Sequence, residues 1–254
     1  MLIRIRREGL GLLLAFTAMA AVAAPVAPAG TPALSMHSIA PAQTTAIDFN
    51  GQSVSAQTQR AARWVTTSGD NAGLPYVLID KVNAEVFVFD ATGRLEGSAP
   101  ALLGLSRGDR FAKATLGDKV GAVQPADRIT PAGRFVASLS RDAHGKEVLV
   151  VDYAESIALH AVVKGTPAER RAQRLESPTA QDNRISYGCI NVPTKFYTSI
   201  VSPAFRHSNG IVYILPEMGT GRDLFGTDAL DTNLPATTRM SADETSRTSS
   251  SVNP

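Results

Sequence analysis

"PYVLIDKVNAEVFVFD", residues 75–90, places two runs of strand-forming residues on either side of a short break. Valine, isoleucine, phenylalanine and tyrosine are frequent in both runs, and these residues favour extended backbone. The turn-forming segment "DATGR" follows directly, at residues 90–94. The stretch therefore predicts a β-hairpin, with strands over 75–81 and 84–90, as the first element of a folded domain.

Strand-like runs continue along the chain, and helical signals are few. The runs cover residues 95–104, 133–140, 146–153, 156–163 and 209–216. About seven short strands with few helical periods are typical of sheets that pack face to face or close on themselves. The sequence predicts a mainly β fold, a β-sandwich or barrel with one or two short α-helices.

Two segments carry helix signals. Residues 166–169, Thr-Pro-Ala-Glu, form a capping box with proline at the first helical position, and they open the segment "PAERRAQRL". The segment "TKFYTSIVSPAF", residues 194–205, has apolar residues at helical spacing, at Phe196, Ile200 and Val201. Each segment is predicted to form a short helix.

The first residues resemble an export signal. Arg4, Arg6 and Arg7 precede a short apolar run, and Ala-Val-Ala at 21–23 supplies a small-x-small cleavage site. Cleavage there would remove residues 1–23. The alternative is an uncleaved N-terminal anchor. In either case the rest of the chain is expected in the periplasm or cell envelope.

The remainder of the 254-residue chain divides by composition. Residues 24–71 are rich in alanine, proline, threonine and serine, and they are predicted to be a flexible leader. Residues 72–216 are long enough for one domain with a real core. Residues 217–254 are predicted to be a polar, disordered tail.

Charge and cysteine content exclude several classes of protein. The formal net charge is +2, so nothing indicates a nucleic-acid binder. One cysteine, Cys189, excludes a disulfide-stapled fold, because structural disulfides need pairs. One cysteine and four scattered histidines lack the spacing of metal ligands, so neither a metal nor another cofactor is expected.

Cys189 needs a nearby base to act as a nucleophile. His37 lies in the predicted leader, His144 in a predicted turn, and His207 at the end of the second predicted helix. His160 lies within the strand-like run "IALHAVV", where a histidine is by default part of a core or its rim. His160 is the candidate base.

The neighbours of Cys189 also bear on its reactivity. Gly188 permits a close backbone approach or a positive φ beside the sulfur. If a helix begins near Pro193 or Thr194, its first amides would point towards the sulfur and favour a thiolate. On these observations alone, a buried and inert cysteine remains the alternative.

"SYGCINV", residues 186–192, preceded by the strand histidine, resembles the active-site signature of the L,D-transpeptidase catalytic domain family. That signature is a strand histidine, then Ser/Thr-His-Gly-Cys, an apolar residue, and Arg or Asn. Residues 76–104 are similar to the family's opening hairpin and next strand, and "TPAGRF" at 130–135 resembles its Thr-Pro-x-Gly-x-Phe turn. The pieces occur in the family's order over residues 74–216.

The resemblance implies a peptidoglycan L,D-transpeptidase that works through a thioacyl-enzyme. Cys189 would attack the carbonyl that links the L- and D-residues of a stem tetrapeptide and release D-alanine. His160 would take the thiol proton and later assist the acceptor amine. The acceptor would be a second stem peptide, or an outer-membrane or wall-attached protein.

The resemblance also implies supporting residues. The backbone N–H of Cys189, with that of Gly188, would hold the oxyanion, and further residues would shape the site, namely Ser186, Tyr187 and Asn191. Arg174 and Arg184 are candidate contacts for the carboxylates of the substrate.

Three departures from the family pattern affect the site. Tyr187 stands where the family has histidine, which bears on thiol activation and acceptor choice. Ala161 follows His160, so a backbone carbonyl is expected to orient the imidazole. Residues 161–185 are longer than the family's usual connection, and they hold the predicted helix with its arginines. This helix is either a solvated charged face or a lid for an acidic peptide.

Two other functions remain open from the sequence. With water or a free D-amino acid as acceptor, the same thioacyl chemistry would give an L,D-carboxypeptidase, a cross-link hydrolase or an exchange enzyme. A protein that kept the fold but lost turnover would instead bind the wall without catalysis.

Overall fold

The computed structural model describes residues 47–111, 123–219 and 221–226. Within these ranges the chain forms ten strands: β1 Tyr76–Asp80, β2 Glu85–Phe89, β3 Leu95–Pro100, β4 Leu103–Gly104, β5 Gly133–Arg141, β6 Glu147–Asp152, β7 Ile157–Ala161, β8 Arg184–Ser186, β9 Ile190–Val192 and β10 Gly210–Ile214. The mainly β class predicted from the sequence is confirmed. The predicted signal, residues 1–23, lies outside the described residues.

Eight of the strands form one sheet in the order β3-β2-β1-β10-β5-β6-β7-β9, while β4 pairs with β8. β1 and β2 form the predicted antiparallel hairpin. β5 belongs to both halves of the sheet, because residues 133–137 pair with β10 and residues 138–141 pair with β6. Two neighbouring pairs of the eight-stranded sheet are parallel, β1 with β10 and β7 with β9, and the β4–β8 pair is parallel as well.

The described helices are α1 Ala56–Ser68, α2 Arg171–Leu175, α3 Thr194–Phe196, α4 Ser202–Phe205 and α5 Gly221–Phe225, and a π-helical turn, Tyr197–Val201, joins α3 to α4. The predicted helix over 194–205 is therefore confirmed. Val201 is buried, and Phe196 and Ile200 pack against the core. None of the helices in the described ranges is long and apolar enough to cross a bilayer.

The helix predicted to start with a capping box has a different structure. Residues 167–169 form a 3₁₀ turn, and the Thr166 side chain makes no cap hydrogen bond. Arg170 then adopts a left-handed conformation, with φ 48°, which interrupts the helix before α2. The Glu169 carboxylate binds Arg171 instead of capping a helix end.

Residues 47–71 were assigned to the leader, but this part of the leader is folded. The Ser55 hydroxyl accepts a hydrogen bond from the Thr58 N–H at 3.1 Å and so caps the start of α1. The helix ends at Gly69, whose left-handed backbone lets its N–H reach the Val65 carbonyl. Ser55 and Thr58 also bind the Asp80 carboxylate, which fixes α1 to the end of β1.

Helix α1 explains why the first hairpin is apolar on both faces. The core consists of two clusters, one on each face of the sheet around β1 and β2. One contains Val77 and Val86 and packs against the helix over 194–205. The other contains aromatic residues of the sheet, among them Tyr76 and Phe87, and packs against α1. All five residues of β1 are buried as a result.

The predicted tail also begins later than residue 217. Lys81 is fully buried, and its ammonium group binds Asp109 at 2.7 Å and lies 3.7 Å from Glu217. Glu217 in turn binds the buried Arg184 guanidinium at 2.6 Å. Two cations and two anions therefore neutralise each other inside the protein. Phe225, in α5, adds a contact to the aromatic cluster.

Glu217→Gln is expected to destabilise the protein by about 3 kcal/mol, because it leaves two buried cations with one buried anion. Glu96→Gln is the matched control, since its partner Arg94 is 73% exposed and the pair contributes less than about 1 kcal/mol. Urea unfolding measures both free energies. Equal, small losses for the two variants would contradict a structural role for Glu217.

A chain that begins at residue 72 is expected to lose about 10 °C or more in Tm and to bind a hydrophobic dye, because the aromatic cluster loses its cover. A chain that begins at residue 44 keeps α1 and should melt like the full chain. Calorimetry and dye fluorescence make the comparison. Identical melting of the two shortened chains would show that α1 contributes nothing to the core.

Candidate active site

Strands β7 and β9 bring the predicted nucleophile and base to one face of the sheet. They run parallel, with His160 opposite Asn191 and Leu159 opposite Ile190. Leu159 and Ile190 are fully buried in the core. Because side chains alternate along a strand, His160 and Asn191 project from the other face. Cys189 directly precedes β9, and continued alternation would give its side chain the same face as Asn191.

The sulfur of Cys189 is half-buried and held by backbone groups. Its thiol donates to the Ser156 carbonyl, with Sγ 3.6 Å from the oxygen. Ser156 has φ 55°, an unfavourable value for a residue with a side chain, so the turn between β6 and β7 is strained where it meets the thiol. Burial raises the pKa of Cys189, and a backbone hydrogen bond at Ala158 and the charge of Arg171 partly oppose this shift.

The imidazole of His160 is oriented by the backbone, as the sequence predicted. Its Nδ1 lies 2.8 Å from the Ala161 carbonyl oxygen. A carbonyl oxygen only accepts, so Nδ1 carries the proton and Nε2 is the basic nitrogen. Burial lowers the pKa of His160, and the charge of Arg171 lowers it further. At neutral pH the histidine is therefore an uncharged base.

The loop before Cys189 is held by an internal set of hydrogen bonds. The Ser186 hydroxyl donates to the Cys189 carbonyl at 2.6 Å and accepts from the Gly188 N–H at 3.0 Å. The Thr130 hydroxyl donates to the Gly188 carbonyl at 2.9 Å. The Gly188 N–H is thus engaged within the loop. The roles of the Gly188 and Cys189 N–H groups as oxyanion donors stay predictions.

Gly188 is required by its surroundings. Its φ is +135°, and a Cβ atom there would lie 2.7 Å from the Ile129 carbonyl oxygen. A side chain would push the loop away from the segment that carries Thr130. The sequence-based expectation of close backbone approach at Gly188 is confirmed.

Asn191 links the nucleophile to a residue that the sequence did not single out. Its amide nitrogen donates to the Cys189 carbonyl at 3.2 Å. Its amide oxygen accepts from the Arg171 guanidinium at 2.9 Å, and Arg171 also binds Glu169 at 2.5 Å. The sequence marks Arg171 only as part of a predicted basic helix. The one available signal was the extra length of residues 161–185, which brings this helix to the site.

The two arginines predicted as substrate contacts bind the protein itself. The Arg184 side chain is 3% exposed and binds Glu217 and the Lys81 carbonyl, so its proposed substrate contact is wrong. Arg174 donates to the carbonyls of Glu169 and Asp182 and ties its own segment together. Contact of Arg174 with substrate stays a prediction.

Tyr187, which replaces the family's histidine, lies against a different partner. The Arg128 guanidinium stacks on its ring, 4.0 Å from the centroid. Arg128 also donates to the Val123 carbonyl at 3.1 Å. Tyr187 therefore fastens the loop of Gly188 to the segment that precedes Thr130.

The helix that follows Cys189 does not begin at the sulfur. β9 occupies residues 190–192, and α3 starts only at Thr194. Extended chain of that length places the helix start about 15 Å along the strand from Cys189. The same helix packs on the core face that holds Leu159. The predicted stabilisation of a thiolate by the first amides of this helix is therefore wrong.

No protein-family model and no curated protein matches this sequence. Among solved structures, the chain is similar to the L,D-transpeptidase LdtMt1 in complex with imipenem, with 14% identity, a TM-score of 0.34, and 56% of this chain and 58% of that chain covered. It is also similar to the helical cell shape determining protein Pgp2 from Campylobacter jejuni, with 14% identity, a TM-score of 0.40, and 65% and 57% covered. For a single-residue variant of Pgp2, the identity is 13%, the TM-score is 0.39, and the match covers 65% of this chain and 58% of that chain. The chain therefore spans less than six-tenths of the length of these structures.

Proposed function

We propose that this protein is a cysteine acyltransferase that acts on peptidoglycan stem peptides, an L,D-transpeptidase of the cell envelope. The observation that carries the proposal is the parallel pairing of β7 with β9, which places His160 opposite Asn191, two residues after Cys189, with Nδ1 of the imidazole held by the Ala161 carbonyl. The order of the sequence motifs supports the substrate class.

Acylation begins with transfer of the Cys189 thiol proton to Nε2 of His160. The sulfur attacks the scissile carbonyl carbon, a C–S bond forms, and the Cys189 N–H donates to the oxyanion. When the C–N bond breaks, the proton on His160 passes to the leaving amine of D-alanine. The product is a thioester between Cys189 and the shortened stem peptide.

Deacylation repeats these roles with an acceptor amine. His160 takes a proton from the amine, whose nitrogen attacks the thioester carbonyl. The new C–N bond forms, the C–S bond breaks, and the proton returns to Cys189. Water in place of the amine gives hydrolysis, and a free D-amino acid gives exchange. The chemistry at the sulfur is the same in each case.

The charge at the site suits an acidic substrate. Arg171 contacts Asn191 beside the nucleophile, and its charge acts on both Cys189 and His160. Stem peptides and their leaving D-alanine carry carboxylates. Arg171 is already bound to Glu169 and Asn191, so it would favour a substrate carboxylate through its charge and not through direct contact.

Purified protein mixed with tetrapeptide muropeptides is expected to release D-alanine, and Cys189→Ser should lower the rate at least about 10³-fold. Ser199→Ala, at an exposed helix position, is the control and should keep the rate. Mass spectrometry of the products identifies dimers, trimmed tripeptides or exchanged residues.

Absence of D-alanine release that depends on Cys189 would contradict the proposal. Incubation with a carbapenem and intact-mass measurement gives a second test, because an active thiol is expected to form an adduct. Wall association that persists in Cys189→Ser, without any turnover by the unaltered protein, would favour the non-catalytic alternative.

The pH profile follows from the resting pair. The pKa of Cys189 lies above its usual 9.0 and that of His160 below its usual 6.5, in both cases through burial first. We expect kcat/KM to be flat between pH 6.5 and pH 9.0. On the acid side it should fall only below pH 6.5, as His160 becomes protonated. A rate that declined on the alkaline side of pH 7 would indicate an ion pair instead.

His160→Ala should lose the acid limb of this profile. Its rate is expected to be about 10²- to 10⁴-fold lower and to rise with pH, because solvent must then remove the thiol proton. An unchanged profile in this variant would assign the base to another group.

A further inference from the structure

The segment between β7 and β8, residues 162–183, is here called the crossover. β7 and β9 are parallel, so the chain must return from the end of β7 to the end of the sheet at which β7 begins before β9 can form. The crossover is part of that return. Arg171 reaches the site from this segment. Its side chain is 11% exposed and contacts the carboxylate of Glu169 and the amide of Asn191.

We propose that Arg171 is a positioning residue of the active site, and that it holds the Cys189 peptide through Asn191 while placing a fixed positive charge beside the thiol. This proposal rests on the function proposed above. It assigns the crossover a role in activating the nucleophile, where a solvated helix would have none.

The first part of the argument is the continuity of the contacts. Glu169 holds Arg171 at 2.5 Å, Arg171 holds the Asn191 amide oxygen at 2.9 Å, and the Asn191 amide nitrogen holds the Cys189 carbonyl at 3.2 Å. An asparagine amide without the guanidinium could rotate and exchange its oxygen and nitrogen. Arg171 donates only, so it fixes the amide in the orientation that donates to Cys189.

The second part is the fit of the crossover around the Glu169–Arg171 pair. Gly165 has φ +60°, and a Cβ atom there would collide with the Glu169 carboxylate and lie 2.8 Å from Nε of Arg171. Arg174 ties the Glu169 and Asp182 carbonyls together. Gly165 therefore packs closely against the pair, in which the Arg171 side chain is 11% exposed and the Glu169 side chain 28%.

The third part is the set of charges around the reacting groups. Arg171 acts on both Cys189 and His160 and favours the thiolate over the thiol. On the side of His160, the turn between β5 and β6 contributes Asp142 and Lys146, which have opposite signs. Glu169 partly neutralises Arg171. Removal of Arg171 and removal of Glu169 should therefore change thiol ionisation in opposite directions.

The test is the rate of Cys189 alkylation by iodoacetamide as a function of pH, followed by intact mass. This measurement needs no substrate. Arg171→Gln is expected to raise the midpoint and to slow alkylation at pH 7 roughly three- to tenfold, since the rate follows the thiolate fraction. Glu169→Gln should lower the midpoint. Arg170→Gln, at the residue directly before Arg171, removes the same charge and is the control. No shift of its alkylation midpoint is expected.

Arg171→Lys separates charge from geometry. It should keep the alkylation midpoint, because the charge remains, while D-alanine release falls roughly ten- to a hundredfold, because an ammonium group does not hold Glu169 and Asn191 in one plane. Far-UV circular dichroism and Tm establish that each variant is folded. Opposite shifts cannot arise from simple loosening of the crossover.

The proposal is overturned if Arg171→Gln and Glu169→Gln shift the midpoint in the same direction or not at all. It is also overturned if Arg170→Gln behaves like Arg171→Gln. If the alkylation results are as expected but no variant or unaltered protein releases D-alanine, the proposed function fails and the positioning role stands.

Discussion

The buried ammonium group of Lys81 is the interaction on which the rest of the site depends. It binds Asp109, the Gly108 carbonyl and the Thr130 carbonyl within 3.0 Å. Desolvation of these charges costs several kcal/mol per ion, so an apolar core of the same volume would be at least as stable. The cluster instead fixes the position of Thr130. Lys81 holds the Thr130 carbonyl, and the hydroxyl of Thr130 donates to the Gly188 carbonyl. A charge at the end of β1 thereby sets the position of the loop before Cys189.

Cys189 and His160 both rest in their uncharged forms. Partial burial disfavours the charged state of each group, so it raises the pKa of the thiol and lowers the pKa of the imidazole. The thiol meanwhile donates to the Ser156 carbonyl on a strained turn. A raised pKa keeps the thiol protonated and slows its oxidation, since the thiolate is the reactive species. Activation then depends on groups that favour the thiolate, and Arg171 is such a group.

Local patterns in the sequence were enough to predict most of the sheet. The hairpin over 75–90 and the histidine strand are short runs rich in β-branched residues, with aromatic residues in the hairpin, and this composition favours strands. Helix α1 was missed because its exposed face is polar and the segment before it is rich in proline. Two signals were present, the cap at Ser55 and the end at Gly69. A third was the hairpin itself, since a strand without polar alternation needs cover on both faces.

The candidate site residues also differ in whether a local sequence pattern marks them. A motif marks Cys189 and a strand pattern marks His160, and the pairing of β7 with β9 is consistent with a shared site, while their catalytic roles stay predictions. Arg184 was misassigned because nothing local distinguishes a buried arginine from a free one, and its partner Glu217 lies 33 residues away. The place of Arg171 could not be predicted, because the left-handed backbone of Arg170 interrupts the helix that the sequence predicts.

The parallel pairing of β7 and β9 ties these features together. Strands that pair in parallel cannot be joined by a tight turn, so the fold itself demands a long connection between the histidine and the cysteine. A connection that must exist can carry side chains to the face it crosses. Here it delivers a guanidinium to Asn191, opposite His160 in the register and two residues after Cys189. The pairing requires a connection over residues 161–185, and the segment that makes it also carries Arg171 to Asn191.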